Sequence, residues 1–492
     1  MIADTVLVAD HVLTGPGARA FPGAVAVAGG RIAGCGPADE IARLHPGAAR
    51  VELGDAVLMP GLINAHQHGR GLSQIQLGYP DDALEPWIAA RRGRGAPDAR
   101  ALTRLAALQM ISNGVTATLH ANYSYGTGDY EAELRGVIRA YEETGMRATV
   151  CVGFADRGGL VYPPADEAAF LRGLPAAARA LVAAARPAYL ASVEATIALM
   201  HRLRADHAGH PTVTLAYGPA GPQWVSDEAW RALARDAAQH GIGMHFHLLE
   251  SPAQAEAARR LYPGGAVERL AALGVLEARA SAAHFAQARE ADMTAAARHG
   301  LVIVTNPGAN MRLYNGPPPV AAMRRAGITL AVGTDNCALA DDEDFLRELR
   351  LAALLGREPG IGGEGPSAAE QIAMATANGA RAIFLEGPHA LVPGARADMV
   401  AVGLARARGA WLDPDMDAVE AMLARAGGAD VTLTMVAGRI LYRDGRLLAG
   451  DMGAARVAAA GTASASRPAG EVTAAVVAGL QAALRDHYRG RS

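Results

Sequence analysis

Short apolar runs rich in β-branched residues open the chain: Thr5-Val6-Leu7-Val8, Ala24-Val25-Ala26-Val27 and Arg31-Ile32-Ala33, with Gly29-Gly30 placed as a hairpin turn. They predict a small antiparallel sheet that is not closed by itself. From residue 59 the texture changes to apolar strand-like runs alternating with helical stretches, the pattern of a parallel α/β architecture. Eight strand candidates follow, at 57–66, 115–120, 147–154, 212–218, 243–248, 281–286, 301–306 and 329–333. Helices are predicted over 227–240 after Ser226 and over 253–272 after Ser251-Pro252, where Ser caps and Pro takes the first turn. Ser367 with Glu370 is a capping-box pair that opens another. After residue 388 short strands return at 398–402, 431–436 and 439–442, with turns at Gly438 and Asp444-Gly445.

This pattern predicts a (β/α)₈ TIM-like barrel over 59–387, with a doubly wound sheet as the alternative. Residues 1–58 and 388–452 together are expected to form a small composite β-sandwich domain from both chain ends. The Ala/Ser/Gly/Pro-rich stretch 453–470 is read as a linker, and 471–488 as a C-terminal helix, within a terminal segment 453–492.

Composition narrows the function classes. The chain has 492 residues and a formal charge of −3, which gives no electrostatic case for nucleic acid or an anionic membrane. Cys35, Cys151 and Cys337 are too far apart in sequence to suggest a disulfide framework or a thiolate zinc site. No signal peptide is apparent and no apolar run approaches the roughly 20 residues of a membrane span, so a soluble cytoplasmic protein is expected. All 46 basic residues are arginine. No step can therefore use a lysine as base, Schiff-base former or carbamylated metal bridge.

Chemistry concentrates at the strand ends. In extended backbone positions i and i+2 share a face, so His66 and His68 at the end of the first barrel strand can hold one metal. A lone His-x-His is weak evidence, but the other strands end in His120, in His245 and His247, in His284 and in Asp335. Active sites of such barrels sit at the C-terminal strand ends. Chance would scatter the fifteen histidines among helices and loops as well.

The runs Met59-Pro-Gly-Leu-Ile-Asn-Ala-His-Gln-His68, His245-Phe-His-Leu-Leu-Glu250, Ala283-His284 and Gly333-Thr-Asp-Asn336 resemble the amidohydrolase superfamily, in its cytosine-deaminase-like and chlorohydrolase-like branch. Asn306-Pro-Gly-Ala-Asn310, Gly316-Pro-Pro-Pro319, Ala375-Thr-Ala-Asn-Gly-Ala-Arg381 and Pro393-Gly-Ala-Arg-Ala-Asp398 extend the likeness over about residues 2–450. The resemblance implies that His66, His68, His247 and Asp335 ligate one metal, that Glu250 shuttles protons, and that His284 and Asp335 act on the attacking water or the intermediate. Another branch bridges two metals with a carboxylated lysine on strand 4; here that strand reads Val213-Thr-Leu-Ala-Tyr-Gly-Pro219, which favours one metal and leaves a Glu or Cys bridge open.

Three imidazoles and a carboxylate suit Zn²⁺ best and tolerate Fe²⁺. A divalent cation lowers the pKa of bound water towards about 7. With Glu250 protonating a ring nitrogen, these parts predict a metal-dependent aminohydrolase acting on the cyclic amidine of a purine, pyrimidine, triazine or pterin-like heterocycle and releasing ammonia. The alternatives are hydrolysis of an amide, carbamate or halide by the same machinery, and a non-catalytic metal-binding relative. The expected partner is a small-molecule substrate, and a homodimer is the candidate assembly.

Other polar residues carry two readings each. Gln74, Trp87, Gln223, Trp224 and Tyr314 sit in loops after strands, and with His120 they are candidates for substrate contact or for packing. His245 reads as a packed barrel histidine, Asn310 as a loop tie and Cys337 as a buried thiol. His201, His207, His210 and His240 read as structural or solvated, and Arg70 and Arg312 either meet a carboxylate or coat the rim. Gly308-Ala309 and Asn336-Cys337 depart from the usual family residues and are expected on the substrate side.

Overall fold

The computed structural model describes residues 3–122, 126–185, 189–336, 338–467 and 471–489. Its first five strands are β1 (Thr5–Val12), β2 (Phe21–Ala28), β3 (Arg31–Gly36), β4 (Ala49–Glu52) and β5 (Ala56–Pro60). The barrel strands are β6 (Leu62–Gln67), β7 (Val115–His120), β8 (Arg147–Phe154), β9 (Val213–Pro219), β10 (Met244–Leu248), β11 (Ala280–His284), β12 (Val302–Thr305) and β13 (Leu330–Val332). The chain returns to the first sheet with β14 (Met399–Gly403), β15 (Val431–Val436), β16 (Arg439–Arg443) and β17 (Arg446–Leu447).

Strands β6 to β13 pair in sequence order, all parallel, with helices outside. The ring closes where Gln67 bridges Asp335 and the Asp335 N–H donates to the His66 carbonyl at 3.0 Å. Its interior is filled by small and branched side chains, among them Ile63, Ala65, Ala117, Leu119, Val304 and Ala331. The helix Ala377–Ala382 plugs the lower end against them. The composite β domain is one continuous mixed sheet of order β17-β16-β15-β14-β5-β1-β2-β3, with β4 on β1. Antiparallel pairing of β5 with β14 joins the two chain ends.

The stretch 57–66 is not one strand. It breaks at Gly61, where a Cβ would meet Thr116 Oγ1 at 2.0 Å, so β5 stays in the small sheet and β6 enters the barrel. The turn is pinned from both sides: the Gly61 N–H donates to Asp398 O at 3.1 Å and His389 Nε2–H donates to Gly61 O at 2.8 Å. The helix expected over 253–272 is likewise two, Pro252–Leu261 and Ala266–Ala272, because Pro263-Gly264-Gly265 interrupts it. The linker reading of 453–470 also fails over most of its length. Met452–Ala465 is a helix capped by the Asp451 side chain, because its alanines favour helix and Ala455 and Ala459 pack on Leu102, Leu105 and Leu108. The C-terminal helix, Glu471–Arg489, packs on Leu84–Ala90, burying Leu480 and Leu484 against Ala89, Leu160 and Val161.

Barrel and sheet are locked by one buried ion pair. Arg147 at the start of β8 grips Asp398 just before β14 with two bonds, Nε to Oδ2 at 2.7 Å and Nη2 to Oδ1 at 3.1 Å, and Ala437 N–H adds a third at 2.7 Å. Burial opposes the Asp398 charge, but Arg147 outweighs it and holds the carboxyl below its usual range. Such a group stabilises the fold fully above the unfolded carboxyl pKa of about 3.9, and that contribution is lost as pH falls through the folded value. Asp398→Asn, which strands a buried guanidinium, should lower the unfolding free energy by about 3–5 kcal/mol in urea titrations at pH 7. The gap to wild type should narrow as the pH is taken below the carboxylate range.

Candidate active site

Five imidazoles meet at the C-terminal mouth of the barrel. His66 lies with its ring centroid 4.9 Å from His68, 5.0 Å from His245, 5.0 Å from His247 and 5.4 Å from His284. Asp335 enters from beyond β13, its Oδ1 at 2.9 Å from His68 Nε2 and 3.4 Å from His66 Nε2. Two overlapping triads have ligand atoms converged within 4.8 Å, His66-His68-His247 and His66-His284-Asp335. His284 and Asp335 hold left-handed backbone, φ 76° and 54°, a conformation costing roughly 1–3 kcal/mol for a non-glycine residue.

The tautomers follow from the outer hydrogen bonds. His68 Nδ1–H donates to Ala121 O at 2.6 Å and His247 Nδ1–H to Ala220 O at 2.9 Å, so both present an unprotonated Nε2. For His66 the argument is longer. Ser281 Oγ–H donates to Ala382 O at 2.8 Å, and therefore accepts from His245 Nδ1–H at 2.7 Å. His245 Nε2 must then accept from His66 Nδ1–H at 2.8 Å, which leaves the lone pair of His66 Nε2 facing inward. That atom is buried without a hydrogen-bond partner. Burial, with the crowding of neighbouring imidazoles, pushes His66 and His247 well below the usual histidine range, and burial lowers His68 too. Burial opposes the charge of Asp335, but its close approach to His66 and His68 outweighs burial and holds the carboxyl well below its usual range. Neutral imidazoles with inward lone pairs beside a carboxylate are the donor set of a divalent cation.

Glu250 follows β10 and is buried beside this cluster. Its Oε2 lies 3.7 Å from His284 Nε2 and accepts from Gln254 Nε2 at 3.2 Å, while Oε1 accepts from Asn315 Nδ2 at 3.2 Å. Burial pushes its carboxyl up to about 7, with His284 opposing and Asp335 adding to the rise. His284 Nδ1 lies between Asn310 Oδ1 at 3.0 Å and Asn306 Nδ2 at 3.3 Å, which fixes the ring and turns Nε2 towards Glu250.

These groups open into a cavity of about 630 Å³, with Leu84, Trp87, Leu160, Tyr162 and Trp224 among its apolar lining and Asn122, Asp156 and Arg157 among its polar lining. Of the expected substrate contacts, Trp87 and Trp224 line it. Tyr314 lines an adjacent cavity of about 400 Å³ instead, shared with the C-terminal helix. Gln74, His120 and Gln223 are buried and outside the cavity lining. His120 Nδ1 pairs with Tyr141 OH at 3.0 Å, which also accepts from Gln67 Nε2 at 2.9 Å, so His120 serves the packing behind β6. Ala309 packs with Trp87 and Leu313 rather than facing the cavity, and Arg312 is engaged at the rim by Asp81 and Asp341. Asn336 lines the cavity, and Cys337 lies outside the described residues.

The structure gives one histidine a role beyond the packing expected of it and adds two residues, Glu85 and Asn315, that the sequence did not point to. His245 is not merely packed, since it sets the tautomer of His66. Glu85, buried in the cavity wall and raised by that burial, accepts from Ser251 Oγ at 2.5 Å and Tyr162 OH at 3.2 Å. Asn315 reaches Glu250 across 65 positions of sequence, with no local signal.

The model of the amidohydrolase family matches residues 57–441, and that of a bacterial imidazolonepropionase-like composite domain matches 23–48. The chain is 30% identical to a 5-methylthioadenosine/S-adenosylhomocysteine deaminase of Symbiobacterium thermophilum, over 86% of this chain and 89% of that one. It is 28% identical to a 5′-deoxyadenosine deaminase of Methanosarcina mazei, over 80% and 82%. Among solved structures, an adenosine deaminase from Xanthomonas campestris with bound zinc superposes with a TM-score of 0.78 at 25% identity, covering 95% of this chain and 99% of that one. The atrazine chlorohydrolase of Arthrobacter aurescens complexed with zinc shares the fold, with a TM-score of 0.75 at 22% identity and coverage of 93% and 100%.

If His66 is a ligand, His66→Ala should lose the metal outright. His245→Ala, which removes only the group that orients it, should weaken metal affinity by about 10–100-fold. Gln74→Ala should leave affinity unchanged. Metal content after dialysis against graded chelator checks all three.

Proposed function

This chain belongs to the amidohydrolase family, and on that premise we propose that it deaminates a 6-aminopurine nucleoside lacking a free 5′-hydroxyl, such as 5′-methylthioadenosine or 5′-deoxyadenosine. The observation that carries the reading is Glu250: a buried carboxyl pushed up to about 7 and set 3.7 Å from His284 at the edge of the imidazole cluster. A structural metal needs no such group. The nucleoside is chosen on the deaminase relatives, whose named substrates share an adenosine head without a free 5′-hydroxyl. The apolar side of the cavity, with Trp87 and Trp224, suits a flat ring and a thioether, and its polar side suits a sugar.

His66, His68, His247 and Asp335 would hold the metal, and three imidazoles with one carboxylate favour Zn²⁺. A divalent cation, when bound there, would lower the pKa of the attacking water to about 7. Asp335, held ionised by His66 and His68, accepts or orients the proton of that water. Glu250, whose carboxyl burial raises so that it can hold a proton, delivers that proton to the ring nitrogen next to the carbon that bears the amine, which makes that carbon electrophilic. His284 Nε2, fixed by Asn310, hydrogen-bonds the oxygen forming on that carbon. A carbon–oxygen bond forms, the exocyclic carbon–nitrogen bond breaks, and the amine takes a further proton and leaves as ammonia. Asn315 and Gln254 hold both oxygens of Glu250 through the proton movements.

Glu250→Gln keeps the size and hydrogen-bonding capacity but cannot carry a proton. It should reduce kcat on 5′-methylthioadenosine by about 10²–10⁴-fold with metal content unchanged, followed by the loss of adenine absorbance and by ammonia release. Full activity in that variant would sink the assignment. A wild-type enzyme that is metal-loaded yet silent on 5′-methylthioadenosine, 5′-deoxyadenosine, S-adenosylhomocysteine and adenosine would sink the substrate class.

A further inference from the structure

A second group of metal-type ligands sits on the outside of the barrel. The helices Val193–Asp206 and Asp227–His240 lie side by side over β9, and between them His201, Asp236 and His240 place one ligand atom each within 4.8 Å of the others. None of the three lines the catalytic cavity. Asp236 and His240 are one helical turn apart on the same face, and His201 comes from the neighbouring helix.

The geometry is that of a site rather than of loose surface charge. Both imidazoles turn Nε2 to the same oxygen, Asp236 Oδ1, at 2.9 Å from His201 and 3.7 Å from His240. The edge of a tetrahedral zinc site with bonds of about 2.1 Å is about 3.4 Å, and the two separations bracket it. The other oxygen, Oδ2, accepts from Tyr217 OH at 2.5 Å, which aims Oδ1 outward, as the outer partners of metal-binding carboxylates do. The rings are preset too, with centroids 4.6 Å apart and planes at 72°. Asp236 is only 12% exposed while the histidines are 38% and 37% exposed, so the carboxylate forms the floor and solvent reaches the fourth position.

The nearby pair His207 and His210 makes a useful contrast. Both approach Glu142, at 3.0 and 3.8 Å, but His210 Nδ1 is already an acceptor for Val213 N–H at 3.1 Å. That ring is committed to the backbone, and these residues do not converge as the first trio does.

We propose that His201, Asp236 and His240 form a second site for a divalent first-row ion of the Zn²⁺ type, completed by water, which ties two outer helices of the barrel together. Two imidazoles and a carboxylate are borderline ligands that select Zn²⁺, Co²⁺, Ni²⁺ or Cu²⁺ over Mg²⁺ and Ca²⁺. An ion that binds only the folded chain raises its stability by mass action.

The test uses full-length protein, stripped by chelator, reloaded with excess Zn²⁺ and freed of unbound metal, with zinc then counted per chain. The expected count is two for wild type and one for His201→Ala and for His240→Ala. Added Zn²⁺ should raise the melting temperature further in wild type than in either variant, and ammonia release should be the same in all three. A count in wild type no higher than in the two variants would overturn the proposal, whatever the barrel mouth holds. So would two in both variants, which would put the second ion elsewhere. The count needs no substrate, so it stands apart from the outcome of the deamination assay.

Discussion

The hydrogen bond from the Asp335 N–H to the His66 carbonyl, 3.0 Å long, is the contact on which the rest of the site depends. It joins the first barrel strand to the residue just past the last, and so closes eight strands into a ring. Closure brings together groups 269 residues apart in sequence, and puts the carboxylate of Asp335 against the imidazoles of His66 and His68. The approach is close enough that a Cβ at Gly333 would meet His66 O at 2.7 Å and Asn306 Oδ1 at 2.4 Å, which explains a glycine two residues before the ligand. The left-handed backbone at His284 and Asp335 is unfavourable by itself and is held by the surrounding ring.

From that seam, order passes outward through hydrogen bonds with a fixed direction. The helix that plugs the barrel supplies Ala382 O, Ser281 and His245 relay the constraint, and His66 is left with its lone pair inward. The cavity is braced from the opposite side by the C-terminal helix. Tyr488 OH accepts from Tyr162 N–H at 3.2 Å and donates to Leu160 O at 3.3 Å, while Gln481 Nε2 donates to Pro86 O at 3.1 Å. Leu160, Tyr162 and the helix carrying Trp87 are walls of the cavity, so the terminal helix shapes the site without entering it.

What was legible in the sequence was what repeats along a strand. His66 and His68, and His245 and His247, fall two apart in or just past buried strands, His284 ends its strand and Asp335 follows the last one, so alternation and strand order pointed to one barrel mouth. The helix 227–240 was readable because Ser226 caps it and Gly241 ends it in left-handed backbone. Pro60-Gly61 punctuates two apolar runs, but nothing local shows that they belong to different sheets, since the distant Thr116 and Asp398 fix the turn between them. Residues 453–465 were misread because alanine-rich composition serves a linker and a packed helix alike. His120 and His245 look equivalent in sequence, yet one is bound to Tyr141 and the other to His66. Partners such as Asn315 for Glu250 arise only from tertiary packing.

The most direct test of the account is anomalous diffraction at the zinc edge from crystals of the metal-loaded protein. The predicted result is a peak at the barrel mouth, within about 2.0–2.2 Å of Nε2 of His66, His68 and His247 and of a carboxylate oxygen of Asp335. A barrel mouth without a peak, or a peak whose ligands leave out His66 or Asp335, would contradict the site on which the proposed chemistry is built.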